Sequence, residues 1–164
     1  MRAALVLGLG LAARASPLGS KSDCPEASAQ GTWTFRDGRC YLRSSAAFDF
    51  ETCNAVVCGQ FNATLACARD RDENEFLARD LGGVRSASWV GRFQRPNRPP
   101  REGWNLQSSA SCASTYATWQ EGSPDDFMGC DENCAAMGVD DGDGTWADVD
   151  CGRKARCLCE YPGA

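Results

Sequence analysis

The chain has 164 residues, of which 22 are acidic and 17 basic, with a formal net charge of −5 and no histidine. This length predicts one domain, and the lack of histidine excludes His-based catalytic triads, histidine zinc ligands and a histidine pH switch. The excess of acidic residues disfavours nucleic acid and anionic membranes as partners.

The N-terminal residues have the pattern of a secretory signal peptide. A positive start at Arg2 is followed by an apolar run over 3–13, and Ala13-Arg-Ala15 fits a small-x-small cleavage site. We therefore predict a signal peptide over 1–15 and a short polar linker over 16–23. The apolar run is too short to cross a bilayer. Since the eleven cysteines also fit an oxidising compartment, the sequence predicts a secreted protein with no membrane insertion.

A hairpin and a first helix are predicted in the first third of the chain. Asp37-Gly38 is a hairpin turn signal, and it lies between two cysteines, Cys24 and Cys40. The first helix is predicted over 49–58, because Asp49 is a suitable N-cap and Gly59 stands just past its end.

A second helix is predicted over 70–80. Asp70 and Glu73 have the spacing of a capping box at its start, and two glycines at 82 and 83 end it. Between the two helices, Asn62-Ala-Thr64 is an N-glycosylation sequon in a predicted loop. We therefore predict a glycoprotein with Asn62 as the acceptor.

The stretch from Tyr116 to Cys159 contains the candidate residues for binding a metal ion or a ligand. Its aromatics, carboxylates and cysteines have short, irregular spacings rather than the helical period of about 3.6 residues. This pattern predicts a long ordered loop region that is pinned by disulfides and ended by short strands. Carboxylates held on such loops are the ligands that a hard cation such as calcium needs.

This stretch resembles the C-terminal half of a C-type lectin-like domain. Pro124 falls at the Pro of the family's Glu-Pro-Asn or Gln-Pro-Asp motif, and Trp146-Ala-Asp148 stands where the family has Trp-Asn-Asp. The other matching positions are Trp119, Cys134, Cys151, Cys159 and Glu160. The resemblance extends over 24–161 and implies a single domain with these bounds.

The resemblance implies an α+β fold with two helices, two small antiparallel sheets and a long loop region. It also implies the long form of the family, which has an additional disulfide near the N-terminus. The implied disulfides are Cys24–Cys40, Cys58–Cys159 and Cys134–Cys151.

Five cysteines remain outside these pairs: Cys53, Cys67, Cys112, Cys130 and Cys157. The first hypothesis is a bridge between Cys112 and Cys130, because both lie in the long loop region. Cys157 lies two residues before Cys159 in a predicted strand, so it faces the same side and has Cys53 of the first helix as a candidate partner. An odd count leaves one thiol free or paired with another chain, as in a disulfide-linked oligomer.

The resemblance also implies a calcium site that binds sugar. In the family, a loop with a cis proline, a downstream Glu and the Trp-Asn-Asp strand surround the ion, and vicinal sugar hydroxyls join it. Position by position, this predicts a cis Pro124 and three metal ligands, Asp125, Glu132 and Asp148. The same three carboxylates, with Ser123, would contact the sugar.

Two positions depart from the family pattern. Ser123 stands where the family has Glu or Gln, and Ala147 where it has Asn. A serine offers a hydroxyl and an alanine offers no oxygen, so the site keeps three carboxylates with fewer further ligands. Extracellular calcium modules bind as weakly as about 10⁻⁴–10⁻³ M, and a site reduced in this way either falls in that range or binds no calcium.

Pro124-Asp-Asp-Phe127 is similar to the galactose-type pattern of the family, in which an aromatic ring stacks on the apolar face of the sugar. We therefore predict a secreted, non-enzymatic lectin for a glycan or glycoprotein, with Phe127 in the sugar site and galactose or N-acetylgalactosamine as the sugar. Ser123 and Ala147 favour the alternative, a calcium-independent module that binds a protein or an ice surface. A carboxylate-pair glycosidase would need two carboxyls about 5–9.5 Å apart with separated pKa values, and the resemblance implies no catalysis.

Overall fold

The computed structural model describes residues 18–104, 106–107, 114–139 and 143–162. The predicted signal peptide over 1–15 and Cys112 lie outside the described residues. Secondary structure in the described part consists of short helices and eight strands. The strands are β1 Thr34–Arg36, β2 Arg39–Phe48, β3 Thr64–Leu65, β4 Ser88–Phe93, β5 Leu106–Gln107, β6 Cys134–Met137, β7 Trp146–Val149 and β8 Ala155–Tyr161.

The two predicted helices are present, and both begin with the predicted caps. The first has a π-helical body over Thr52–Cys58, and the Thr52 N–H donates to Asp49 Oδ1 at 2.9 Å. The second runs as an α-helix over Arg71–Glu75 and continues as a π-helical turn over Phe76–Asp80. Its Glu73 N–H donates to Asp70 Oδ1 at 2.8 Å. These aspartates each satisfy one of the free N–H groups at a helix start.

The strands form one mixed sheet in the order β1-β2-β8-β4-β6-β7, with β3 on β8 and β5 on β4. The two small antiparallel sheets that the resemblance implied are two antiparallel groups within this one sheet, β1-β2-β8 with β3 and β4-β6-β7 with β5. A short parallel pairing between β4 and β8, with Ser88 opposite Arg156 and Trp89 opposite Cys157, joins them. The second strand and the last strand meet, since Cys40 pairs with Tyr161 across β2 and β8. The two helices and this mixed sheet confirm the α+β class.

The core lies in two clusters of buried side chains. One cluster is built around Leu42 and Trp89, and it includes the sulfurs of the first helix. The other surrounds Leu77, Trp146 and Leu158 beneath the second helix. Trp146 also donates its Nε1–H to Asn74 Oδ1 at 2.9 Å, which ties β7 to the second helix. The second helix therefore holds β7 in place, and the loops on either side of β7 begin at a rigid strand.

Disulfides connect the helices and loops to the sheet. All three implied pairs are confirmed, as is the fourth candidate, Cys53–Cys157. The Cys112–Cys130 hypothesis is wrong, because Cys130 is exposed and unpaired. Cys67 is disulfide-bonded. Membership of one loop region therefore did not predict that Cys130 is unpaired.

Asn62 is exposed and closes a tight turn in a left-handed backbone conformation, with φ of 53°. Its glycosylation stays a prediction. Within the described ranges, none of the helices is long and apolar enough to cross a bilayer.

Candidate functional site

Three carboxylates from separate segments meet at one end of the sheet. Asp125 follows the Ser123–Pro124 peptide bond, which is cis as predicted. Glu132 lies two residues before β6, and Asp148 lies within β7. One carboxylate oxygen from each residue lies within 4.8 Å of the others. The antiparallel pairing of β6 with β7 brings Asp148 beside the chain that leads from Glu132.

The carboxylates hold the loop after Pro124 in place. Asp148 Oδ2 accepts the backbone N–H groups of Asp125 and Asp126, both at 2.9 Å. Glu132 Oε2 accepts the backbone N–H of Phe127 at 2.8 Å, and its own N–H donates to Asp126 Oδ1 at 3.2 Å. The loop therefore takes its shape from the same acidic side chains that form the cluster.

The segment before this loop is fixed against β7. The Trp146 N–H donates to the Thr118 carbonyl at 2.8 Å, and the Gln120 N–H donates to the Trp146 carbonyl at 2.9 Å. Trp119 packs edge-on against Trp146, with ring centroids 5.9 Å apart. The aromatic residues at these positions are therefore structural, and they set where the chain enters the cis peptide bond.

One oxygen of Asp148 is left without a partner. Asp148 is only 3 % exposed, and its Oδ1 is buried with no hydrogen-bond donor within the described residues. A buried, unpartnered carboxylate oxygen is costly, and a cation beside it would remove that cost. The donor set, three carboxylates that converge without a Lys or Arg ion pair in the described residues, fits a hard cation such as calcium.

Burial and mutual repulsion affect the acidity of this cluster. Burial raises the pKa of Asp148 above the ordinary Asp value, although the two backbone N–H groups oppose the shift. Burial also raises the pKa of Glu132, with the N–H of Phe127 opposing it and the neighbouring carboxylates adding to it. Both groups therefore hold protons more readily than ordinary carboxylates, and a bound cation would reverse that effect.

A cavity of about 320 Å³ opens over the cluster. Ser123 and Phe127 line it as the sequence predicted, and Phe127 is 63 % exposed. Ala147 also lines it, but it is 3 % exposed and has no side-chain oxygen. The structure thus brings all the residues predicted for the metal and the sugar to one cavity, while the ligand that the family has at position 147 is missing.

Sequence reasoning missed three polar residues of this cavity, Gln120, Glu121 and Arg153. Glu121 adds a carboxylate at the rim, and Arg153 adds a positive charge from the turn between β7 and β8. These positions lie outside the motifs that the resemblance supplied. The one available signal was the closeness of Glu121 to the Ser123-Pro124 motif.

The chain matches the family model described as the Lectin C-type domain over residues 49–161, which is more than half of its length. The chain belongs to the C-type lectin domain family. Domains of this family are generally non-enzymatic, and they include carbohydrate-binding relatives. The match begins at the first helix and ends at the last strand, so it contains the whole carboxylate cluster.

One curated relative is mouse asialoglycoprotein receptor 1, with 29 % identity over 132 residues; these cover 78 % of this chain and 43 % of the receptor. The chain spans about two fifths of the length of the curated relatives it matches. The receptor is longer than the shared domain, so the similarity is one of domain and not of whole protein.

Solved structures show the same fold. The cow carbohydrate-recognition domain of CD23, in the presence of GlcNAc2Man3 oligosaccharide, has a TM-score of 0.64 and 24 % identity, and covers 86 % of this chain and 97 % of that one. A calcium-independent type II antifreeze protein has a TM-score of 0.65 and 20 % identity, and covers 86 % and 95 %. At these identities the likeness concerns the fold alone.

Proposed function

We propose that this domain binds carbohydrate through a calcium ion held by Asp125, Glu132 and Asp148. The proposal rests on the convergence of these carboxylates within 4.8 Å of one another, together with the buried Oδ1 of Asp148, which has no hydrogen-bond partner in the described residues. Calcium takes six to eight oxygen ligands, and three carboxylates supply only part of that shell. The remaining positions are open to water or to the vicinal hydroxyls of a sugar.

The proposed sugar is galactose or N-acetylgalactosamine. The Phe127 ring is exposed at the cavity over the carboxylates, so one face is free to stack on the apolar face of a pyranose ring. Ser123 offers a hydroxyl in the same cavity. The sugar-binding relatives support a glycan ligand, among them mouse asialoglycoprotein receptor 1, whose name specifies a glycoprotein.

A binding assay on immobilised galactose, with calcium or with EDTA, tests this proposal. We expect retention in calcium, release by EDTA, and loss of retention in the Asp125→Ala variant. Asp80→Ala is the matched control, since Asp80 is an exposed aspartate on the second helix and should bind as the original chain does. A folded Asp125→Ala variant with unchanged, EDTA-insensitive retention would contradict the metal-dependent mode.

A calcium-independent binding mode is the second candidate. It is favoured by Ala147, which is buried and without an oxygen donor, and by the fold shared with a calcium-independent type II antifreeze protein. In that mode the ligand would be a protein or an ice surface. Ice-growth inhibition or protein capture that persists in EDTA, with no sugar retention, would favour this candidate over the first.

The proposal also includes secretion after removal of residues 1–15, no catalytic activity, and more than one copy per assembly. Single sugar sites bind weakly, and multivalency raises their avidity. Cys130 is exposed and unpaired in the described part of the chain, so it is the residue through which two copies would be linked. A dimer on a non-reducing gel that the Cys130→Ser variant lacks would support the linkage, and a wholly monomeric chain would contradict it.

A further inference from the structure

A second and larger cavity, of about 730 Å³, is lined by residues other than those of the carboxylate cluster. It opens between the start of the first helix, the end of β4 and the Cys134–Cys151 disulfide. Phe50, Phe93 and Pro96 form apolar parts of its wall. This volume and this apolar lining are typical of sites that take a whole small molecule.

Two buried amides in the wall of this cavity lack partners. Gln94 is 2 % exposed, and neither its Oε1 nor its Nε2 has a hydrogen-bond partner in the described residues. Asn133 is 7 % exposed, and its Oδ1 is also unpartnered there. Buried polar groups are normally satisfied, and each exception calls for an explanation. A ligand that carries a hydrogen-bond donor would satisfy the two amide oxygens.

The lining of the cavity has one sign of charge. Among the residues that the structure describes, no Lys or Arg lines it, and four carboxylates do: Asp49, Glu51, Asp131 and Asp150. Asp49 pairs with Lys154, and Asp150 accepts the N–H of Gly152. Glu51 and Asp131 are exposed and have no ion pair in the described residues. A cleft lined by one sign of charge attracts ligands of the opposite sign, so this cavity favours a cation.

The geometry of the acidic residues favours an organic cation over a metal ion. Among the described residues, the group of three acidic side chains that converges closely enough for a metal ion is Asp125, Glu132 and Asp148. The acids around the larger cavity do not form such a group. They surround an apolar space with buried amides at its wall, which suits a positively charged group attached to an apolar body.

The two cavities are on opposite sides of the segment that leads into β6. Glu132 belongs to the carboxylate cluster and lines the smaller cavity, whereas its neighbours Asp131 and Asn133 line the larger cavity. This is expected where successive side chains of an extended segment point in opposite directions. The two sites therefore use different side chains.

We propose that the larger cavity is a second ligand site that binds a small arylalkylamine. The aromatic ring lies among Phe50, Phe93 and Pro96, and the ammonium donates to the Gln94 and Asn133 amide oxygens beneath the acidic rim. This site operates with or without calcium.

Calorimetric titration of the oxidised chain with 2-phenylethylamine in EDTA tests the proposal, with 2-phenylethanol as the neutral partner of the same shape. We expect saturable binding of the amine and binding about tenfold weaker for the alcohol, which corresponds to one favourable charge interaction. Absence of saturable amine binding, or equal binding of amine and alcohol, would overturn the proposal.

Two variants locate the site. Gln94→Leu replaces the unpartnered amide with an apolar side chain, so we expect unchanged or higher thermal stability and amine binding weaker by about tenfold or more. Glu51→Gln alters the exposed rim without touching the core, and Glu102→Gln is its matched control on an exposed loop. We expect weaker amine binding in Glu51→Gln and unchanged binding in Glu102→Gln. Full amine affinity in Glu51→Gln, or in a folded Gln94→Leu variant, would rule the cavity out.

Discussion

Asp148 accepts the backbone N–H of Asp125 on its Oδ2 atom at 2.9 Å. The same oxygen accepts the N–H of Asp126, while Oδ1 stays buried and unpartnered in the described structure. One carboxylate thus orients the loop through one oxygen and presents the other to the proposed ion. The shape of the loop and the proposed affinity for calcium therefore depend on the same side chain.

These two roles separate in variants of Asp148. Asp148→Asn keeps one oxygen for the N–H groups of Asp125 and Asp126 but removes the charge. We therefore expect the unfolding free energy to fall by less than about 1 kcal/mol and the calcium affinity to fall by about tenfold or more. Asp148→Ala removes both oxygens and should cost about 1.5–3 kcal/mol of unfolding free energy. Urea unfolding and calcium titration of both variants measure this. Unchanged calcium affinity in Asp148→Asn would show that Asp148 is not a calcium ligand.

The calcium affinity should fall as the pH is lowered. Burial raises the pKa of Asp148 and of Glu132, the latter also through the neighbouring carboxylates, and calcium binds only the ionised forms. Protons therefore compete with calcium at a higher pH than they would at ordinary carboxylates. We expect the affinity to fall by up to about tenfold per pH unit for each proton taken up. Titrations from neutral to mildly acidic pH measure the slope.

Glu132→Gln is the control for this pH dependence, because it removes one of the two groups with a raised pKa. We expect weaker calcium binding with a shallower pH slope. A slope equal to that of the original chain would mean that Glu132 does not titrate with the site.

The disulfides of the first helix should show strongly non-additive effects. Cys53–Cys157 and Cys58–Cys159 close nearly the same loop, with separations of 104 and 101 residues. When one bridge is present, the other closes only a small ring of about seven residues, which is worth roughly 2 kcal/mol on the chain-entropy model. When both bridges are removed, the loop of about 100 residues is no longer closed, and the unfolding free energy falls by roughly a further 5 kcal/mol on the same model.

Paired Cys→Ser variants at each bridge, and the quadruple variant, measure this difference in urea unfolding. We expect each pair to be tolerated and the quadruple variant to lose clearly more than the sum of the two. Additive losses would show that packing of the buried sulfurs, and not loop closure, dominates the stabilisation.

Asp49 should stabilise the first helix through both its capping bond and its charge. Asp49→Ala removes the Thr52 cap and should cost about 1 kcal/mol. Asp49→Asn keeps a capping oxygen and loses the Lys154 ion pair, which as a partly exposed pair should cost less than about 1 kcal/mol. Equal losses in the two variants would contradict the capping role.

The stabilisation that Asp49 provides should decrease as the pH is lowered. The Lys154 ammonium, and then the Thr52 N–H, hold the pKa of Asp49 below its usual value. Its stabilisation is therefore present above the unfolded-state pKa of about 3.9, and is lost as the pH falls towards the lower folded value. The stability gap between the original chain and Asp49→Asn should shrink below about pH 4 in urea unfolding. A gap that stays constant would show that the charge plays no part.

Local chemistry made part of this structure predictable. Asp49 and Asp70 were identifiable as caps because a helix start needs an acceptor for its free N–H groups. Cys53 was identifiable as the partner of Cys157 because side chains two apart in a strand share a face. The family resemblance supplied the cis Pro124 and the set of carboxylates.

Packing between distant segments was not predictable. The parallel pairing of β4 with β8 depends on how the two antiparallel groups dock, and no local pattern encodes that. The same holds for Cys130, which shares a loop region with Cys112 but ends exposed and unpaired in the described structure. Gln94 belongs to none of the motifs in the sequence, and its burial without a partner among the described residues is seen only in the folded chain.

A calorimetric calcium titration of the oxidised chain and of Asp125→Ala tests the central claim most directly. We expect saturable binding by the original chain at about 10⁻³ M calcium or tighter, reversal by EDTA, and no saturable binding by the variant. The original chain would then bind calcium through the carboxylate cluster despite Ser123 and Ala147. Absence of calcium binding by the folded original chain, or equal binding by Asp125→Ala, would contradict the proposed metal site.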